Sequence, residues 1–139
     1  MHIPPHDNDN KPIIDINDAK VPYAFFNRVT LNKDEEFVHE LKEYESCIVP
    51  ATGSIVVNID SLDERLIGNR INNVWDGEPE GVYVPTGLTA KIKCACDHAE
   101  IFIAGAKYSE QLQPFYIMGE DLDIVQYGSD DTKTHRKIK

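Results

Sequence analysis

Long apolar runs, basic residues and cysteines are all scarce in this chain, and each shortage excludes a class of function. No window approaches the roughly 18 apolar residues that a membrane-crossing helix requires. Lys and Arg number 14 against 24 Asp and Glu, giving a formal net charge of −10. A surface of that sign repels phosphate backbones and anionic lipid, so neither nucleic acid nor membrane is expected as a partner. The three cysteines, Cys47, Cys94 and Cys96, are odd in number, and the C-x-C pair offers zinc only two ligands with no second pair to complete them. They read as small buried or half-buried thiols. The first ten residues carry Pro4, Pro5, Asp7 and Asp9 where a secretory leader would be basic and then apolar, so the expected location is the cytoplasm. P-loop, Rossmann and G-x-S-x-G fingerprints are missing, as is any capped run of twelve or more residues with helical periodicity. The nearest helical candidate, 33–44, has charges that suit an exposed strand equally well.

What is present is the material of one domain, 139 residues with enough apolar content for a core. Residues 1–20, rich in Pro, Asn and Asp, are expected to form an arm, with Ile13, Ile14 and Ile16 docking as a short strand. Asp7-Asn8-Asp9-Asn10 opens like a calcium loop, but Pro12 replaces the required glycine and no Glu stands at the twelfth position. Over 21–127, strand-like runs alternate with turn signals about every 8–12 residues, as in an all-β sandwich or barrel. The runs are 23–31, 36–41, 46–50, 54–59, 64–67, 81–84, 88–96, 100–106, 114–118 and 122–126. Ile92, Cys94 and Cys96 fall on one face of their strand and Lys91, Lys93 and Ala95 on the other. Ala99 to Ala104 is more continuously apolar, the pattern of a strand covered on both sides. Gly53 reads as a tight turn between two strands, and 97–99 as a hairpin. Residues 128–139 turn polar and then basic, and read as a tail.

Two stretches resemble the paired motifs of cupins, G-x5-H-x-H-x3,4-E-x6-G and G-x5-P-x-G-x2-H-x3-N. The first is His39-Glu40-Leu41-Lys42-Glu43-Tyr44-Glu45 running to Gly53; the second is Gly81 to Ala90, with the Pro85-Thr86-Gly87 turn inside it. The resemblance implies a single-domain, all-β, cupin-type double-stranded β-helix, a jelly-roll-like barrel. In metal-dependent cupins, alternate residues of neighbouring strands point inward and converge on one divalent ion. The corresponding positions are His39, Leu41, Glu45 and Ala90. Leu41 and Ala90 present only hydrocarbon, so no metal and no other cofactor is expected. His39 and Glu45 remain as candidate acid–base residues, or as a pair hydrogen-bonding a hydroxylated ligand in the barrel mouth.

From Tyr23 to Lys137 the chain resembles the N-terminal half of the 5-deoxy-glucuronate isomerase family of myo-inositol catabolism, related to the 5-keto-4-deoxyuronate isomerases. The resemblance is carried by Glu45 eight residues before Gly53, by Asn69-Arg70-Ile71-Asn72-Asn73-Val74-Trp75-Asp76-Gly77, by Val82-Tyr83-Val84-Pro85-Thr86-Gly87, by Ala99-Glu100-Ile101-Phe102-Ile103-Ala104 and by Thr132 to Ile138. It implies a two-barrel enzyme of carbohydrate metabolism whose metal ligands lie in the second barrel. This chain is then expected to be a structural or carbohydrate-binding barrel without the catalytic metal, pairing with a second cupin barrel or with itself as a homodimer. The alternative is a self-sufficient uronate isomerase, an aldose–ketose intramolecular oxidoreductase, working through His39 and Glu45. For a sugar-acid ligand, Arg28 and Arg70 are candidate carboxylate clamps, and Trp75 and Tyr83 a candidate sugar platform or barrel plug.

Overall fold

The computed structural model describes residues 6–129, 131 and 133–138. Strands follow one another with little else: β1 (Ala24–Asn32), β2 (Glu36–Glu40), β3 (Tyr44–Ile59), β4 (Leu62–Arg70), β5 (Gly81–Val84), β6 (Thr89–Cys94), β7 (His98–Lys107) and β8 (Phe115–Ile117). A 3-10 turn, Gly119–Asp121, precedes a small separate ribbon of β9 (Val125–Tyr127) and β10 (Arg136–Ile138). Of this ribbon only β10 falls within 128–139, the stretch whose sequence reads as a polar tail; Asp130, Thr132 and Lys139 lie outside the described residues.

Among the described residues every strand pairing is antiparallel. One sheet runs β1-β7-β3-β5-β8, and a second is formed by β4, β3, β6 and β2. Alternation drives the assembly. In β1, Phe25, Asn27, Val29 and Leu31 are buried while Phe26, Arg28 and Thr30 are half-buried. In β6, Ala90, Ile92 and Cys94 are buried while Lys91 and Lys93 are exposed. The inward side chains meet between the sheets, where Val29, Ile48, Ile55, Val57, Ile92, Ile101 and Ile103 are fully buried. Each such aliphatic side chain contributes about 1.5–3 kcal/mol relative to exposure.

Gly53 is not a turn between two strands. β3 continues through it, pairing with β7 and β5 in the first sheet up to Thr52, and with β4 and β6 in the second sheet beyond it. Register shifts after Pro50 and after Gly53 re-aim the strand. Gly53 has φ of +80°, and an added Cβ would lie 2.5 Å from the carbonyl oxygen of His98, so only glycine fits the corner. β7 also departs from expectation. Its inner side is sealed, but on its outer side Phe102 is only half-buried and Ala104 is exposed.

The arm docks more through its asparagines than through its isoleucines. Ile14 makes one bridge with Phe26, the two exchanging backbone hydrogen bonds, whereas Ile16 is exposed. Beyond that bridge, side-chain amides act as the missing strand. The Asn10 amide accepts from Thr30 N–H at 2.8 Å and donates to the Thr30 carbonyl at 3.0 Å. Asn8 donates to the Arg28 carbonyl at 2.9 Å and to the Asn27 side chain, which in turn donates to the Asn10 carbonyl. The arm therefore occupies both backbone polar groups of Phe26 and Thr30 and the carbonyl of Arg28 on the β1 edge.

Candidate functional site

At the inward-facing motif positions, β2 buries His39 opposite Ala90 of β6. Its Nε2 lies 2.8 Å from Ser46 Oγ, and its ring packs against Phe25 with centroids 5.7 Å apart. Burial in this setting lowers the imidazole pKa to about 4, so His39 is neutral at physiological pH. Leu41, just past β2, packs against the core, and its carbonyl accepts a hydrogen bond from Gly87 N–H at 2.8 Å. That bond ties the Pro85-Thr86-Gly87 turn to the end of β2.

Glu45 does not join His39. On β3 the buried residues are Tyr44, Ser46 and Ile48, so Glu45 and Cys47 project from the outer face of the sheet. There the Glu45 carboxylate accepts a 2.6 Å hydrogen bond from the Tyr83 hydroxyl. Burial, and then the Glu45 carboxylate, push the Tyr83 phenol up to about 12. The sequence reading missed Ser46 as the partner of His39. The parity of Tyr44, Ser46 and Ile48 was the signal that identifies it.

The other candidates lie apart. Arg28, on the outer face, pairs with Glu100 of β7. Arg70, at the end of β4, donates through Nε to the Gly77 carbonyl at 2.9 Å. Trp75 neither plugs the barrel nor stacks with Tyr83: it is 90% exposed on a loop that Asp76 and Asn73 shape by hydrogen bonds to the backbone of Asn72, Asn73 and Trp75. Tyr83 stacks instead on Phe115, centroids 5.0 Å apart. A cleft of about 540 Å³ does bring Arg70 together with Asn69, Cys96 and His98. The Cys96 sulfur sits at its edge, 3.2 Å from Ser54 N–H and 4.0 Å from the Cys94 sulfur. Burial raises the Cys96 thiol, but hydrogen bonds, foremost from Ser54 N–H, bring it below its ordinary value.

Would these residues hold the divalent metal that cupin motifs imply? His39 is spent on Ser46, the Ala90 methyl faces it across the strands, and Glu45 points out of the barrel. Among the described residues no three His, Cys, Asp or Glu side chains converge. One imidazole is not a ligand set, so the residues present do not fit the ion.

Two sheets sharing one long strand, a short proline turn leading from β5 in one sheet to β6 in the other, and histidine kept at one motif position define a cupin barrel. The chain belongs to the KduI/IolB family, whose model matches residues 2–139. It is 28% identical over 121 residues to 5-deoxy-glucuronate isomerases of Listeria monocytogenes serotype 4b strains, covering 86% of this chain and 44% of theirs. The chain thus spans less than half the length of these relatives. Among solved structures it is similar to an IolB-like protein of Salmonella typhimurium, with a TM-score of 0.69, 22% identity, and coverage of 77% of this chain and 40% of that one. An RmlC-like cupin with a double-stranded β-helix fold from Methanocaldococcus jannaschii matches at a TM-score of 0.52 and 16% identity, over 78% of this chain and 92% of its own. Among the described residues no helix is long and apolar enough to cross a membrane.

Proposed function

We propose that this cupin domain serves the carbohydrate chemistry of its family as a structural or sugar-acid-binding barrel, without a catalytic metal of its own. The observation that carries the reading is the state of His39: buried, neutral, hydrogen-bonded to Ser46 and faced by Ala90. The relatives' activity, isomerisation of 5-deoxy-glucuronate, points to a uronate-like ligand and to inositol catabolism as its setting. The cleft of about 540 Å³ beside Arg70 has room for such a molecule, and a guanidinium suits its carboxylate. The barrel works alongside another cupin barrel, a second copy or a companion chain. The acidic surface supports partners other than nucleic acid or membrane, and the three free thiols suit the reducing cytoplasm.

The alternative, a self-sufficient isomerase using His39 and Glu45, has the geometry against it, because His39 points into the barrel from one sheet and Glu45 points out of it from the other. Two measurements decide. Elemental analysis of the purified chain is expected to find transition metal far below one equivalent; a stoichiometric ion would overturn the metal-free reading. Calorimetry with glucuronate and 5-deoxy-glucuronate is expected to show binding that Arg70→Gln weakens about tenfold, without turnover. Turnover by this chain alone, lost in both His39→Gln and Glu45→Gln, would establish the enzymatic alternative.

A further inference from the structure

Of the three free thiols, the fold brings two together: the Cys94 and Cys96 sulfurs lie 4.0 Å apart. The two differ in access. Cys94 ends β6 and is fully buried in the core. Cys96 is half-buried and lines the cleft of about 540 Å³ that also holds Arg70. Cys47, the third, projects instead from the outer face of the five-stranded sheet.

The corner of β3 is built around the Cys96 sulfur. Ser54 N–H donates to it at 3.2 Å, and the carbonyl oxygens of His98 and Ser54 lie 3.1 and 3.6 Å away. Gly53 leaves it room, since a Cβ there would stand 2.9 Å from the sulfur. The Cys94 thiol donates instead to the Cys96 carbonyl at 3.3 Å. Burial raises both thiols, but at Cys96 the hydrogen bonds, foremost from Ser54 N–H, outweigh it. The accessible member of the pair is therefore the more acidic. An accessible, readily ionised thiol beside a buried, protonated one has the asymmetry of an attacking sulfur and its resolving partner.

We propose that Cys94 and Cys96 form a reversible, hydroperoxide-sensitive dithiol at the corner where β3 passes between the sheets. The Cys96 thiolate bonds to the terminal oxygen of a hydroperoxide, the O–O bond breaks, and the departing alkoxide or hydroxide takes a proton from water. Cys96 is then a sulfenic acid. The Cys94 sulfur attacks the Cys96 sulfur, the S–O bond breaks, and the hydroxyl leaves with the Cys94 proton as water. Two thiols have lost two electrons, and one hydroperoxide has been reduced to an alcohol, or to water. The sulfurs must close by about 2 Å to reach bonding distance. β6 ends at Cys94 and the chain bends at 96–97, so Cys96 is the side that moves. Two residues apart on extended chain, the Cα atoms stand about 6.6 Å from each other, near the upper limit for a disulfide. A bond closed under that constraint opens readily to a monothiol reductant, which suits a switch and not a permanent staple. Closing it also draws the sulfur away from Ser54 N–H and reshapes the wall of the cleft. The inference holds whatever the cleft binds.

Treating the full chain with about one equivalent of hydrogen peroxide, followed by intact mass and peptide mapping, tests it. The expected product has lost two hydrogens and carries a Cys94–Cys96 bond, with Cys47 still free, and a monothiol reductant restores the starting mass. Before oxidation, Cys96 should take up maleimide at least about tenfold faster than Cys47 in the folded chain, and at a similar rate in urea. In Cys94→Ser the reaction should stop at the sulfenic acid, which dimedone traps on Cys96. The wild-type chain supplies a readout that needs no variant: on oxidation the Ser54 amide should lose protection from hydrogen exchange, and on reduction regain it. Oxidation confined to Cys47 would overturn the proposal, as would Cys96 passing to sulfinic acid in the wild type without forming the disulfide. An oxidised pair with unchanged exchange at Ser54 would overturn it too, because the sulfur would not have left the corner.

Discussion

His39 and Ser46 meet inside the barrel, Nε2 to Oγ at 2.8 Å, joining β2 to β3 across the space where a cupin metal would be held. The contact satisfies one polar atom of each buried side chain, and burial then discourages the imidazole from taking a second proton. A stability profile follows from this. Between pH 6.5 and about 4 the unfolded chain protonates His39 and the folded chain resists, so native stability falls as the pH drops through that window. The limiting slope is about 1.4 kcal/mol per pH unit and the total is roughly 3 kcal/mol. Urea unfolding at pH 7.5 and pH 4.5 should show a smaller loss for His39→Gln than for the wild type. Equal losses in the two proteins would contradict a buried neutral histidine.

Gly53 and Gly87 both adopt positive φ, +80° and +75°, but only Gly53 is also crowded. An alanine Cβ at position 53 would lie 2.5 Å from the His98 carbonyl oxygen and 2.9 Å from the Cys96 sulfur, whereas at position 87 it would meet nothing within 4 Å. Gly87→Ala should cost about 1 kcal/mol, the backbone term alone. Gly53→Ala should cost roughly 2–5 kcal/mol, since overpacking adds to it. Thermal melts of the two variants give the comparison, and a similar drop in Tm for both would refute it.

Asn10→Ala removes the amide that receives both polar groups of Thr30. The expected loss is about 1–2 kcal/mol. Hydrogen exchange offers the sharper view: the Thr30 amide should lose protection while the amide of Val29 keeps its own. Unchanged exchange at Thr30 would mean that the arm does not hold the edge in solution.

Tyr83 should titrate apart from an ordinary tyrosine. Its phenol lies at about 12, raised by burial and by Glu45, so spectrophotometric titration should show one tyrosine ionising late, well above the usual 10. In Glu45→Gln that late component should move downward. If it stays where it was, the 2.6 Å contact is not what raises it.

Most of the barrel was legible in the sequence because alternation is a direct consequence of one buried face: β1, β2 and β6 alternate as their sequences require. The errors share another cause. In sequence Gly53 looks like a reversal, yet a positive φ can equally bend a strand that goes on, and only its partners on both sides decide which. Spacing matches Glu45 to a motif position, although the parity of β3 turns it outward. Arg28, Arg70, Trp75 and Tyr83 could not be placed relative to one another because their positions depend on pairing between distant segments. The arm's amides were illegible for the same reason, since Asn8 and Asn10 find their partners about 20 residues away.

One backbone, β3, belongs to both sheets, and that membership bears on how the molecule comes apart. Neither sheet can shed its neighbours without loosening the strand that anchors the other, so melting of the two should coincide in a single transition. Assembly is bound in the same way. β3 finds β6 and β7 only after long loops of chain have closed, and the barrel is therefore expected to be a slow folder, limited by its most shared strand.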